Sequence, residues 1–105
     1  MIITFEKAYL KQLYEEGKTN DKKHRFQPHI IERYQKVINF LRRAATIEEL
    51  WQFKNLRYEV LKGDKNGISA VSINMQYRVE FIVAYTQDEP VLTICNILEI
   101  SNHYK

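Results

Sequence analysis

The sequence predicts an α+β domain in which an antiparallel, meander-type β-sheet with an N-terminal strand carries two helices packed on one face. Two segments in the first half of the chain have apolar residues at helical spacing, whereas strand-like alternation dominates from residue 58 onward. Separate runs of helices and strands favour this class over an alternating, parallel α/β fold. The length of 105 residues is that of one domain, so we expect residues 1–105 to form a single domain.

The first half of the chain predicts a short strand and two helices. Residues 1–5 are apolar and partly β-branched, which is typical of a strand. Residues 6–16 have apolar side chains at one-face spacing and precede Gly17, a common helix end. A polar loop over residues 18–27 leads to Pro28, which suits the start of a helix. This second helix has an apolar stripe that we assign to the core: Ile30, Tyr34, Val37, Ile38 and Leu41.

Thr46 and Glu49 predict the start of a further, short helix. Their spacing is that of a capping box, in which each side chain accepts a hydrogen bond from the other residue's backbone N–H. Because the apolar pattern fades after Trp51 or Phe53, we expect this helix to end there.

The second half of the chain predicts strands joined by tight turns. Residues 68–74 and 77–85 are expected to form a hairpin. The second of these strands alternates cleanly, with Arg78 and Glu80 on the face opposite its apolar side chains. Residues 91–100 are apolar on both faces, so we predict that they form an interior strand.

Composition and charge exclude several classes of protein. Hydrophobic residues make up 45% of the chain, which is enough for a packed core and excludes a disordered tail. The longest apolar run is too short for a membrane span, and the first residues lack the pattern of a signal peptide. We therefore predict a cytoplasmic protein that makes no membrane contact.

The positive charge is concentrated in the first half of the chain. Residues 1–45 carry ten basic and five acidic side chains, whereas residues 46–105 carry six and eight. The densest basic cluster lies in the predicted loop and consists of Lys18, Lys22, Lys23 and Arg25. Such a cluster attracts the phosphates of nucleic acids, but it is also common on solvated surfaces, so charge alone leaves both interpretations open.

No metal or cofactor site is predicted. The histidines and the single cysteine lack the spacing of zinc ligands, and the three glycines form neither a phosphate-binding loop nor a dinucleotide motif. Cys95 lies in the predicted interior strand, and we interpret it as a buried structural cysteine. A single cysteine excludes an internal disulfide and suits the reducing cytosol.

Four polar residues near predicted strand ends supply the side chains of a metal-free ribonuclease: Glu59, Arg78, His103 and Tyr104. In such an enzyme a carboxylate or imidazole removes the 2′-OH proton, a guanidinium holds the scissile phosphate, and an acid protonates the leaving 5′-oxygen. Arg78 has a structural alternative, an ion pair with Glu59 or Glu80. Residues 103–104 also have one, a frayed chain end.

Three segments of the second half follow one another in a distinctive order. They are residues 59–67 (E-V-L-K-G-D-K-N-G), 72–81 (S-I-N-M-Q-Y-R-V-E-F) and 102–105 (N-H-Y-K). Together they resemble the RelE/ParE superfamily of toxins from bacterial type II toxin–antitoxin modules, and the HigB-like branch in particular. The resemblance implies a RelE-like fold and a ribosome-dependent mRNA endonuclease that is neutralised by a cognate antitoxin, expected to be a helix-turn-helix protein.

The resemblance also implies roles for particular residues. Glu59 falls at the position of a general-base carboxylate, and Arg78 at that of the phosphate-binding arginine. His103 and Tyr104 resemble tail residues that assist proton transfer and orient the RNA, and either Glu59 or His103 remains open as the base. The residues predicted to bind RNA are Lys62 and Lys65 within the first motif, and Lys22, Lys23 and Arg25 in the basic loop.

Two departures from the family pattern keep other functions open. Ser69 and Ser72 stand where relatives often carry an aromatic residue and an arginine, and the tail contains Asn-His-Tyr rather than Asp-Tyr-His. One alternative is a ParE-like inhibitor of DNA gyrase, which needs no acid–base pair. The other is a non-catalytic protein of the toxin fold that serves as the partner of an antitoxin or repressor.

Overall fold

The computed structural model describes residues 1–102, which begin with a strand and two helices and continue with further strands, as the sequence predicts. The helices and strands are β1 (Ile2–Phe5), α1 (Ala8–Glu16), α2 (Pro28–Arg43), β2 (Glu59–Val60), β3 (Ser69–Ser72), β4 (Tyr77–Tyr85) and β5 (Thr93–Asn102). Short 3₁₀ turns lie between them at Lys22–His24, Ile47–Gln52, Lys54–Leu56 and Gly63–Lys65. Neither α-helix has the length and apolarity that a membrane span requires.

The five strands form one mostly antiparallel sheet in the order β1-β5-β4-β3-β2. Strands β2 to β5 pair antiparallel with their neighbours in chain order, which is the predicted meander. Strand β1 adds to the free edge of β5 in parallel, with Ile2 opposite Ile94. The structure therefore confirms the α+β fold class and the interior position of the last strand.

The core lies between the two helices and one face of the sheet. All five apolar residues of the predicted α2 stripe are buried, and the Tyr34 hydroxyl donates a hydrogen bond to the Leu10 carbonyl at 2.8 Å. The sheet contributes Val71, Val79, Phe81, Cys95 and Ile97 to this core. Burial raises the pKa of the Cys95 thiol to about 11, so the thiol is protonated at neutral pH. This environment confirms the prediction of a buried structural cysteine.

A β-bulge in β5 changes which of its side chains face the core. Phe81 pairs with Ile97 but the preceding Glu80 pairs with Glu99, so Leu98 is an extra residue on β5. After this insertion the core position passes to Ile100, which is 7% exposed. Glu99 therefore projects to the face of the sheet opposite the helices, which we call the helix-free face, as expected when a bulge reverses the direction of the side chains that follow it.

Some predicted boundaries and one predicted contact differ from the structure. Helix α1 begins two residues later than expected, β3 is confined to four residues, and β5 is displaced by two residues toward the C-terminus. The capping box is wrong, because the Thr46 side chain makes no capping hydrogen bond. The Glu49 carboxylate instead accepts from the Ala45 backbone N–H at 2.6 Å, and the turn that follows is 3₁₀ rather than α.

Candidate active site on the helix-free face of the sheet

The strand registers arrange the polar residues of the sheet in two neighbouring rows on the face opposite the helices. Directly paired residues of antiparallel strands project to the same face. The first row is Glu59, Ala70, Glu80 and Glu99, and the second is Ser72, Arg78 and Ser101. The sequence predicted Glu59 and Arg78 as site residues, and the sheet brings both to this face.

Glu80 is the buried centre of this arrangement, with an exposed side-chain fraction of 1%. Its two carboxylate oxygens accept from Lys65 Nζ at 3.0 and 2.9 Å, and one of them also accepts from Ser101 Oγ at 2.7 Å and Arg78 Nε at 3.1 Å. Burial alone raises the pKa of Glu80, but the hydrogen bonds from Ser101 and Lys65, the Lys65 charge and the hydrogen bond from Arg78 outweigh it. The net pKa lies below the usual value, so Glu80 is a carboxylate at neutral pH.

Lys65 neutralises two like charges that the sheet places side by side. Glu80 and Glu99 are directly paired, and Lys65 Nζ lies 3.4 Å from Glu99 Oε1 in addition to its contacts with Glu80. The hydrogen bond to Glu80 raises the pKa of Lys65. The ammonium predicted to bind RNA is thus engaged within the protein, and its contact with RNA stays a prediction.

Arg78 is anchored through one nitrogen and faces Glu59 with another. Its Nε donates to both Glu80 and Ser101, at 3.1 and 3.2 Å, while Nη1 lies 3.9 Å from Glu59 Oε1. The Arg78 side chain is 21% exposed and that of Glu59 is 59% exposed. Both structural ion pairs weighed from the sequence are therefore present. The pair with Glu59 is open to solvent and lies beyond hydrogen-bond distance, so it holds the guanidinium only weakly.

A cavity of about 140 Å³ lies above this pair, and we call it the scissile pocket. It is lined by Arg57, Glu59, Ala70, Val71, Ser72 and Arg78. An accessible carboxylate and a fixed guanidinium thus face one small cavity, as general-base attack on a phosphodiester requires. The two other predicted catalytic residues, His103 and Tyr104, lie outside the described residues.

Sequence reasoning missed three residues of this site: Arg57, Glu80 and Ser101. Arg57 had no usable signal, because it precedes β2 and has a left-handed backbone conformation, outside the period of two that governs a strand. Glu80 lies two positions after Arg78 in the same strand and was considered only as a structural partner. Ser101 had no usable signal, because its orientation depends on the bulge at Leu98.

The two serines that depart from the family pattern have different positions. Ser69 is buried on the core side, where its hydroxyl is 2.9 Å from the Tyr58 hydroxyl. It therefore does not belong to the site. Ser72 does line the scissile pocket, and its hydroxyl donates to the Asn74 carbonyl at 2.6 Å.

The basic loop over residues 18–27 packs on the helix side of the sheet, against α1 and the first residue of β4. Its His24 ring stacks on Tyr9 with centroids 3.6 Å apart, and its Phe26 ring meets Tyr77 edge-on at 5.4 Å. The predicted RNA-binding residues of this loop, Lys22, Lys23 and Arg25, are exposed, as is Lys62 after β2. Tyr77 packs against the core, so the loop is anchored on the side of the sheet opposite the Arg78 side chain.

Comparison with known proteins identifies the family. A family-wide sequence profile described as the RelE-like toxin of the type II toxin–antitoxin system HigB matches residues 3–95. The chain belongs to this family. The match extends through the helical half of this HigB-like toxin, whereas the tail from residue 96 onward lies beyond it. A type II toxin has an antitoxin as its partner.

One solved structure supports the fold independently. A YoeB/ParE toxin from Agrobacterium tumefaciens superposes with a TM-score of 0.61, covering 99% of this HigB-like toxin and 100% of that chain. The two sequences are 15% identical, so the similarity concerns the fold. A comparison with curated protein sequences found no match.

Proposed function

We propose that this HigB-like toxin is a ribosome-dependent endoribonuclease that cleaves translated mRNA in the cytoplasm and so blocks protein synthesis. The observation that carries the proposal is the pairing of Glu59 and Arg78 at the scissile pocket. A purely structural ion pair needs neither a solvent-accessible carboxylate nor a guanidinium anchored through Nε. A site that holds and cleaves a phosphodiester can use the first as a general base and the second to hold the phosphate.

The proposed reaction is an internal attack on phosphorus. Arg78 exchanges its long contact with Glu59 for a two-nitrogen contact with the scissile phosphate. A base, either Glu59 or His103, takes the proton of the 2′-OH, and the 2′-oxygen forms a bond to phosphorus. The bond between phosphorus and the 5′-oxygen breaks, and that oxygen takes a proton from an acid, for which we propose a residue of the His103–Tyr104 tail. The products are a 2′,3′-cyclic phosphate and a 5′-OH end.

The basic loop is proposed to hold the toxin on the ribosome. Lys22, Lys23 and Arg25 are exposed on one short segment, which suits contact with the phosphates of ribosomal RNA. Lys62 is likewise exposed and is proposed to contact the mRNA backbone. The loop packs beside Tyr77, which precedes Arg78 in β4 but projects to the opposite, helix side of the sheet.

The antitoxin is proposed to be a helix-turn-helix protein that silences the toxin by covering the scissile pocket. The helix-free face is open around Glu59, so it is available to a partner. A standard-sized interface would bury about 1,200–2,000 Å² in total.

The purified toxin is expected to cleave a labelled mRNA only when ribosomes translate it. The triple variant Lys22→Gln/Lys23→Gln/Arg25→Gln should cleave more slowly, because three phosphate contacts to ribosomal RNA are lost. If all three contacts exist, the negative slope of log affinity for ribosomes against log salt should become shallower by about 2 to 3. Ribosome co-sedimentation and gel analysis of the mRNA measure both effects.

A matched control removes three exposed positive charges elsewhere: Lys7→Gln/Lys11→Gln/Arg43→Gln. It should retain the wild-type salt slope and cleavage rate. Equal cleavage of free and ribosome-bound mRNA would show that ribosome dependence is wrong. Inhibition of DNA gyrase supercoiling by a toxin that leaves mRNA intact would instead favour the ParE-like alternative.

A further inference from the structure

A second, larger cavity adjoins the scissile pocket between α2 and the turn that joins β3 to β4. Its volume is about 530 Å³, and we call it the flanking groove. Its polar lining includes Arg33, Lys36, Asn55, Arg57 and Asn74. Arg57 and Ser72 line both cavities, so a bound chain can pass from one to the other without leaving the protein surface.

The flanking groove carries positive charge that the protein itself neutralises only weakly. Among the described residues that line it, three are cationic and none is acidic. Lys36 Nζ lies 3.4 Å from Glu32 Oε1 on the same helix, but the two side chains are 73% and 68% exposed. Exposed pairs of this kind are weak and are readily exchanged for another anion. The positive charge of the groove is therefore available to bind an anionic ligand.

Arg57 has a backbone conformation that an arginine rarely adopts. Its φ of 48° places it in the left-handed region, and among residues 1–102 no other residue except glycine has a positive φ. Its N–H closes the 3₁₀ turn by donating to the Lys54 carbonyl at 3.1 Å. Glycine or asparagine suits such a position better, so an arginine there indicates that the guanidinium has a use at the junction of the two cavities.

We propose that the flanking groove binds the ribose–phosphate backbone of the mRNA next to the scissile bond, with Arg57 holding the phosphate adjacent to the one held by Arg78. This inference rests on the proposed nuclease function. Continuity with the scissile pocket favours RNA over a separate partner. Two guanidinium groups and an ammonium match successive phosphates, and the exposed Met75 adds an apolar contact for a base or ribose.

The test is binding of a single-stranded RNA of eight nucleotides with 2′-O-methyl groups, which cannot be cleaved because the attacking hydroxyl is blocked. Fluorescence anisotropy gives the dissociation constant at a series of salt concentrations. Relative to the wild type, the negative slope of log affinity against log salt should become shallower by about 0.7 for Arg57→Asn and by about 1.4 for Arg33→Gln/Lys36→Gln. The matched control, Lys7→Gln/Lys11→Gln, should keep the wild-type slope.

Thermal unfolding separates a binding role of Arg57 from a structural one. Asparagine tolerates the left-handed conformation, so the unfolding midpoint of Arg57→Asn should equal or exceed that of the wild type while RNA binding falls. A lowered midpoint with unchanged RNA binding would assign Arg57 to the fold and overturn the inference.

Two further outcomes would overturn the inference that the flanking groove binds RNA. One is that the wild type does not bind the RNA at low salt, and the other is that all groove variants keep the wild-type salt slope. Loss of antitoxin binding with unchanged RNA binding would assign the groove to an acidic antitoxin segment instead. If the groove variants lose RNA binding but the wild type fails to cleave translated mRNA, RNA binding by the groove is supported and the proposed nuclease function is wrong. If the wild type cleaves mRNA and the groove variants bind RNA normally, only the proposed role of the groove is wrong.

Discussion

The substitution Arg78→Ala is expected to abolish growth arrest when the toxin is produced in a bacterial host. Arg78 is proposed to hold the scissile phosphate and to stabilise the charge that develops on it during attack. Removal of one such charge-stabilising group typically lowers the rate by about 10²–10³-fold. Cleavage of a translated mRNA and the growth rate after induction are the two measurements.

The substitution Arg78→Lys is the matched control for Arg78→Ala. A lysine keeps the positive charge but lacks the planar fork that binds a phosphate through two nitrogens, so partial activity is expected. Retention of the fold is checked by thermal unfolding of each variant. A fully toxic Arg78→Ala protein would contradict the proposed role of this residue.

Replacement of Glu80 is expected to cause the largest loss of stability among substitutions on the helix-free face. Glu80→Ala leaves Lys65 and Arg78 without the carboxylate that holds them, and creates a space in a buried network. Removing one partner of a buried ion pair costs several kcal/mol, and we expect about 3 kcal/mol here because Lys65 is partly exposed. Denaturant unfolding measures the loss.

The stabilisation by Glu80 should also depend on pH. Its folded-state pKa lies below the usual value, so the ionised side chain stabilises the fold fully above about pH 4.3, and this contribution is lost as the pH falls through the folded-state pKa. Glu80→Gln cannot titrate, so its unfolding free energy should be lower than that of the wild type at pH 7 and should decline less toward pH 3.

Glu99→Gln is the control for Glu80, because Glu99 contacts the same lysine but is 37% exposed. Its unfolding free energy should change by less than about 1 kcal/mol. Equal stability and equal acid sensitivity of wild type and Glu80→Gln would show that the buried carboxylate is not the centre of the network.

The elements with strong sequence periodicity were predicted well. The α2 stripe could be assigned to the core because residues three and four positions apart share one face of a helix. The alternation of residues 77–85 placed Arg78 and Glu80 on the face opposite the core, because successive residues of a strand project to opposite faces. Antiparallel pairing brings Glu59 and Arg78, both predicted as site residues, close together, with Arg78 Nη1 3.9 Å from Glu59 Oε1.

The features that periodicity could not supply depend on tertiary structure. The bulge at Leu98 is one inserted residue, and it alone decides that Glu99 and Ser101 face the site. The engagement of Lys65 with two glutamates depends on a turn that folds back over the sheet. Arg57 was missed because its left-handed backbone places it outside any regular pattern.

The central claim is that the site formed by Glu59 and Arg78 cleaves mRNA on the ribosome, and its most direct test is to map the 5′ ends of cellular mRNA shortly after the toxin is induced. Wild-type and Arg78→Ala toxin are compared at equal protein level, and the chemistry of each new end is determined. We expect new 5′-OH ends confined to translated reading frames and present only with the wild type. Growth arrest with intact mRNA, or the same cuts with Arg78→Ala, would contradict the account.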